Sequence, residues 1–269
     1  PYPWLDAPWA RLVGAWRQGR LGHALLWHGR AGFGKREFAR HFVQLLLCEA
    51  ATEADVACGN CRGCTLFLAG NHPDYAHVAP LETGKALTVD QVRELGDYYA
   101  LRPHYRSVKL AVLEAADSMN RAAGNALLKL LEEPPAGAHL ILLADRPAQL
   151  LPTIRSRCQQ TAFELADADV LLDWLAAEEP AVARTVLIEH LARAAGSPLG
   201  ARRLAEPAIA AGIDGLVNAL GGVAVGKLPP LAAAAQCASL PLEVLVDQML
   251  RICHEVLLLK HGAPVPLAG

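Results

Sequence analysis

Short apolar runs alternate with helical patterns through the first part of the chain, up to about Phe163. HALLW, His23 to Trp27, reads as a buried strand ending at Gly29. From Gly34 to Leu47 the apolar residues Phe38, Phe42, Leu45 and Leu46 recur at helical spacing. Asp74 to Val78 reads as a strand. Thr88 followed by Gln91 forms a capping box and predicts a helix to about Leu101. VKLAVLEAAD, Val108 to Asp117, is predicted as a buried strand. A helix is predicted over Arg121 to Leu131, stopping before Pro134-Pro135. HLILLAD, His139 to Asp145, is a further strand. Strands alternating with helices predict an α/β fold with a parallel sheet covered on both faces.

Beyond Phe163 the strands fade. Asp167 to Leu204 is rich in Ala and Leu and reads as helical, with breaks at Pro180 and Gly196 to Gly200. A stretch punctuated by Gly and Pro follows, including GGVAVGKLPP, Gly221 to Pro230. PLEVLVDQMLRICHEVLLLKH, Pro241 to His261, is the last strong helix.

Composition narrows the picture. Apolar residues make up 53% of 269 positions, ample for sizeable cores, so disorder is not expected. The net charge of -2 advertises neither nucleic acid nor a membrane surface. No apolar run approaches the roughly 18 residues of a membrane span. The opening PYPWLDAPWARLVGAW lacks the charged start and apolar stretch of a signal peptide. The expected location is the cytoplasm, with no membrane partner. Arg102, Arg106, Lys109 and Arg121 are candidate phosphate contacts, although each also reads as an ordinary solvated charge.

Three of the seven cysteines fall in ACGNCRGC, as Cys58, Cys61 and Cys64. In a chain without a secretory signal, this clustering points to metal rather than disulfides. A closed zinc site needs a fourth ligand. Cys48 is the first candidate and His72 the second. Four thiolates would make the site structural, since no coordination position is left for a substrate. Free thiols and an iron–sulfur cluster are the alternatives. Cys158, Cys237 and Cys253 are isolated and read as small core residues.

GRAGFGKR, Gly29 to Arg36, nearly matches a phosphate-binding loop. Gly29, Gly32, Gly34 and Lys35 are the candidate nucleotide-binding residues. Arg36, however, stands where a Ser or Thr hydroxyl would bind magnesium, and a guanidinium has donors only. The acidic pair expected at the end of a later strand is Glu114-Ala115, and Ala115 cannot polarise water. Residual nucleotide binding and a plain glycine turn both remain readings of this loop.

LLWHGRAGFGKREFA, the cysteine cluster followed by HPDY, NALLKLLEEPP (Asn125 to Pro135) and TIRSRC (Thr153 to Cys158) occur in that order. Together they resemble the clamp-loader AAA+ subunits of bacterial DNA polymerase III, over residues 1 to about 205. The motor type of that family, gamma/tau, has an intact loop and an Asp-Glu pair. The delta-prime type has a degraded ATP site. Arg36, Glu114-Ala115, Ala144-Asp145 in the sensor region and Leu199 at the lid-arginine position bring this chain closer to delta-prime.

The resemblance implies a RecA-like AAA+ domain over 1–163 with a zinc-binding insertion at 48–64. It also implies a helical lid over 164–205 and a helical collar over 206–269, shorter than the family's. The zinc would be structural, and ATP would not be hydrolysed. The implied partners are gamma/tau and delta subunits and, through the complex, the sliding clamp and primed DNA. The complex belongs to the DNA-directed DNA polymerase (nucleotidyltransferase) holoenzyme. Arg157 in the Ser-Arg-Cys motif matches the arginine that the family inserts into a neighbour's ATP site. Two rivals are a motor-type ATPase using Lys35 and Glu114, and a zinc-dependent nucleic-acid-binding module. An aromatic content of 6% offers few stacking platforms for the latter.

Overall fold

Alternation along the strands sorts the side chains onto two faces of one sheet. The computed structural model describes residues 2–50, 55–82, 84–105, 108–163 and 167–262. Arg106, the residues just after the 163/164 boundary and the tail 263–269 lie outside the described residues. The chain divides into two compact units, 1–164 and 165–269.

In the first unit the order is α1 (Asp6–Arg17), β1 (Ala24–His28), α2 (Lys35–Leu47), α3 (Arg62–Leu68), β2 (Tyr75–Val78), α4 (Val89–Ala100), β3 (Lys109–Leu113), α5 (Arg121–Glu132), β4 (Ala138–Ala144), α6 (Pro152–Arg155) and β5 (Gln159–Ala162). The five strands are parallel in the order β2-β3-β4-β1-β5. All five therefore point their carboxyl ends at one edge, where ligand-binding loops of open α/β sheets gather.

Leu25 and Trp27 of β1, Leu110 and Val112 of β3, and Ile141 and Leu143 of β4 face one side. There they pack against Phe38, Phe42, Leu45 and Leu46 of α2, the stripe read from helical spacing. Trp27 meets Phe38 and Phe42 edge-on at centroid distances of 5.0 and 5.5 Å. Leu26, Ala111, Leu113, Leu140 and Leu142 face the other side, against Val92 and Leu95 of α4 and Leu127 and Leu131 of α5. This is the predicted parallel sheet with helices on both faces. The capping box also forms: Gln91 N donates to Thr88 Oγ1, and Thr88 N donates to Gln91 Oε1 at 3.0 Å.

Three features depart from the sequence reading. The strand predicted over Val108 to Asp117 ends at Leu113, because Ala115 turns into the left-handed region (φ 49°) and a 3-10 turn covers Ala116–Ser118. Helices α1 and α3 and strand β5 were not anticipated. In β5 only Thr161 is buried, so its edge position left no apolar signal. Lys109 is not a surface contact. It is buried, its Nζ donates to the Leu101 carbonyl at 2.9 Å and lies over the Tyr98 ring, and burial lowers its pKa.

The second unit holds α7 (Ala168–Glu178), α8 (Arg184–Arg193), α9 (Pro198–Ala205), α10 (Pro207–Ala224), α11 (Pro230–Gln236) and α12 (Leu242–Lys260). Leu204, Ile209, Ile213, Leu216, Cys237, Leu240 and Val244 form its core. Helix α10 runs four residues, Gly221 to Ala224, into the stretch punctuated by Gly and Pro. With 18 residues and mean hydropathy 1.3 it is, among the described residues, long and apolar enough to span a membrane by length and composition alone. It carries Asp214, and its apolar stripe packs into the helical core.

Candidate functional site

At the carboxyl end of β1 the chain makes a tight loop, 29–34, before entering α2. Three of its glycines have positive φ: Gly29 (145°), Gly32 (77°) and Gly34 (85°). A Cβ on Gly29 would stand 2.3 Å from the Phe163 carbonyl oxygen. A Cβ on Gly34 would stand 2.5 Å from the Tyr2 ring. Tyr2 therefore lies directly on the loop, stacked on Trp4 at 4.8 Å, and Trp4 Nε1 donates to the Phe33 carbonyl at 3.1 Å. The sequence reading missed this aromatic cover.

Lys35 is buried, and its ammonium has three partners. Nζ donates to the carbonyls of Gly29 at 2.6 Å and Arg30 at 2.8 Å, and pairs with Asp145 Oδ1 at 2.7 Å. Its three donors match three acceptors supplied by the chain itself. Asp145 follows β4, at the edge of the sheet that holds the loop. A carboxylate closing an apolar strand was the available signal.

One residue on, Arg36 Nη2 pairs with Glu114 Oε2 at 2.6 Å, and His77 Nε2 meets Glu114 Oε1 at 2.9 Å. Burial alone would raise the Glu114 carboxyl, but His77 and then Arg36 outweigh it and hold the group below its ordinary 4.5. Arg36, Arg40, Tyr75, His77 and Glu114 line an open cleft of about 540 Å³. The two positions that would share magnesium in a hydrolytic site are thus a guanidinium and its own carboxylate.

The cysteines converge between the end of α2 and the start of α3. The four sulfurs of Cys48, Cys58, Cys61 and Cys64 lie within 4.8 Å of one another. Cys48 to Cys58 is 3.5 Å, Cys48 to Cys61 is 3.9 Å and Cys58 to Cys64 is 4.0 Å. A tetrahedral ion with metal–sulfur bonds of about 2.3 Å needs sulfur–sulfur edges of about 3.8 Å, so the donor set fits. Burial pushes the Cys61 thiol up, but backbone N–H groups of Cys64 and Glu49 and the neighbouring thiols bring it down to about 6. Burial, with Cys61 next in effect, takes Cys64 up to about 12.

His72 is not part of this group. Its Nδ1 accepts from Asp74 N at 3.1 Å, its ring lies against Tyr105, and burial lowers its pKa. Cys158 and Cys237 are buried core thiols, as read; Cys253 is exposed, contrary to that reading.

Arg157 sits in the turn between α6 and β5, away from the loop and the cysteines. Ser156 Oγ donates to the Thr153 carbonyl at 3.1 Å, and Cys158 is buried in the core. Between them Arg157 is directed to the surface. Its Nη1 donates to the Thr153 carbonyl at 3.1 Å and its Nη2 pairs with Glu132 Oε1 at 2.8 Å.

The family profile described as DNA polymerase III, delta subunit matches residues 5–167, more than half of the chain. The DNA polymerase III subunit delta' of Pseudomonas aeruginosa is 44% identical over 203 residues, covering 76% of this chain and 61% of that protein. The chain belongs to the delta-prime family of DNA polymerase III subunits. Its relative of the same name in Escherichia coli K12 is 36% identical over 197 residues, covering 73% of this chain and 58% of that one. The chain thus spans about three-fifths of the length of the delta-prime relatives it matches.

A gamma/tau subunit of Mycobacterium tuberculosis is 36% identical over 147 residues, 55% of this chain and 25% of its own. Among solved structures, a gamma subunit-related protein of Thermotoga maritima superposes with a TM-score of 0.44 at 21% identity, covering 80% of this chain and 66% of that one. The RuvB branch migration motor of the same organism gives 0.47 at 13% identity, covering 86% and 67%.

Proposed function

We propose that this chain is a non-hydrolysing delta-prime stator of a DNA polymerase III clamp loader. It assembles with gamma/tau motor subunits and a delta subunit, and through them acts on the sliding clamp and primed DNA. In this reading residues 1–163 are the AAA+ domain, 164–205 the lid and 206–269 part of the collar. The complex works in the cytoplasm as part of the DNA-directed DNA polymerase holoenzyme.

One observation carries the reading. The loop's cation is already engaged within the chain, Lys35 on Asp145 and the loop carbonyls, and the next position holds Arg36, paired with Glu114, in place of a hydroxyl. ATP therefore finds neither a free ammonium nor a hydroxyl for magnesium. Arg157, presented on the opposite side of the SRC turn from its buried neighbour, donates its guanidinium to the γ-phosphate in an adjoining motor subunit. Such a group contributes on the order of 10³–10⁵ in rate. Zinc held by Cys48, Cys58, Cys61 and Cys64 cross-links the end of α2 to α3 and takes no part in hydrolysis.

An add-back assay of the assembled complex's DNA-stimulated ATPase tests this. Arg157→Ala should lower turnover strongly, while Lys35→Ala in the same chain should not. The opposite pattern would show a working motor built on Lys35 and Glu114.

A further inference from the structure

Two motif blocks far apart in sequence meet at one ion pair. Glu132 is the last helical residue of α5, in NALLKLLEEPP, and Arg157 lies in TIRSRC. The two segments are packed tightly: a Cβ on Gly124 of α5 would stand 2.9 Å from Leu151, beside α6. Glu132 and Glu133 place two carboxylates at the negative end of the α5 dipole, with Lys129 as the basic residue of the last turn. That placement breaks a local electrostatic rule, and local rules are broken where a side chain serves something other than its own helix.

The geometry points to Glu132 as the positioning residue for Arg157. The inference rests on Arg157 acting as a finger in trans. An arginine side chain free in solvent samples many rotamers, and most of them aim away from any one partner. Here an ion pair to Glu132 Oε1 and a hydrogen bond to the Thr153 carbonyl hold the guanidinium from within the subunit. The remaining donors are left to meet a phosphate of the neighbour. The side chain is 38% exposed, enough to be reached, and it is held in one orientation. Prepaid orientation of this kind raises turnover more than substrate affinity.

The reconstituted complex provides the test, as kcat and KM for ATP. Glu132→Ala should lower kcat by about 3- to 10-fold with KM unchanged. Glu132→Gln, which keeps the shape and one acceptor, should recover at least half of that loss. The double variant with Arg157→Ala should be no slower than Arg157→Ala alone, because both changes remove one interaction. Subunit content checked by gel filtration separates these effects from failed assembly. If Arg157→Ala slows the complex but Glu132→Ala leaves it unchanged or faster, the positioning role is overturned and the finger stands. A silent Arg157→Ala removes the finger reading, and the positioning role goes with it.

Discussion

Arg36 Nη2 and Glu114 Oε2 stand 2.6 Å apart at the carboxyl edge of the sheet. A hydroxyl and a carboxylate at these two positions would share a magnesium ion. A guanidinium and a carboxylate satisfy each other, with the positive charge built into the chain. Below Glu114, Ala115 occupies the left-handed region, and it has no group to activate water.

The Glu114 carboxyl gives this arrangement a pH signature. Its folded pKa lies below 4.5, so its contribution is complete above that value and fades as pH falls through the lower folded value. Arg36 is largely exposed, so solvent screens the pair and Glu114→Gln should cost about 1 kcal/mol at neutral pH. Thermal melts of both proteins should differ at neutral pH, begin to converge as pH falls below about 4.5 and meet only below the lower folded value. A gap that persists undiminished to the most acidic folded condition would contradict this assignment.

Lys35 has a structural task that can be separated from nucleotide binding. Lys35→Ala removes three interactions of a buried ammonium and strands Asp145, which is half exposed and can recover water. Urea denaturation should show a loss of about 1–3 kcal/mol. ATP with magnesium should not shift the melting temperature of the parent chain, since binding to the native state alone would raise it.

Metal content should follow the four clustered thiols and ignore the others. Elemental analysis of the purified chain should find about one zinc per chain. Cys58→Ser and Cys64→Ser should each lose it, with a lower melting temperature. Cys158→Ser should keep it, because Cys158 is a buried core thiol outside the cluster. Chelation of the parent should reproduce the destabilisation of the Cys58 and Cys64 variants. Full zinc content in Cys48→Ser would return the fourth ligand to question.

Gly63 tests how the metal loop is seated. A Cβ there would lie 2.3 Å from the Leu47 carbonyl oxygen, a backbone atom that cannot swing aside. Gly63→Ala should push α3 off the end of α2, lowering both stability, by about 1–3 kcal/mol, and zinc retention. Gly59, with open space around its Cβ but a φ of 76°, should show a smaller loss on the same change.

Much of the fold was legible in the residues. Four of the five strands, the α2 stripe and the Thr88–Gln91 box could all be read, because periodicity and capping are local. The edge strand β5 could not, since an exposed strand has no apolar run to betray it. The 3.5–4.0 Å sulfur spacings agree with the choice of Cys48 over His72, which the intervening ten-residue step left open.

By itself the sequence determined the parallel α/β architecture, the family and the absence of a hydroxyl at position 36. These follow from residue type and spacing, which need no third dimension. Only the tertiary structure decided which carboxylate each of three cations meets: Asp145 for Lys35, Glu114 for Arg36 and Glu132 for Arg157. Each pair joins segments brought together by the sheet or by helix packing, and no local pattern encodes which carboxylate a distant cation will meet.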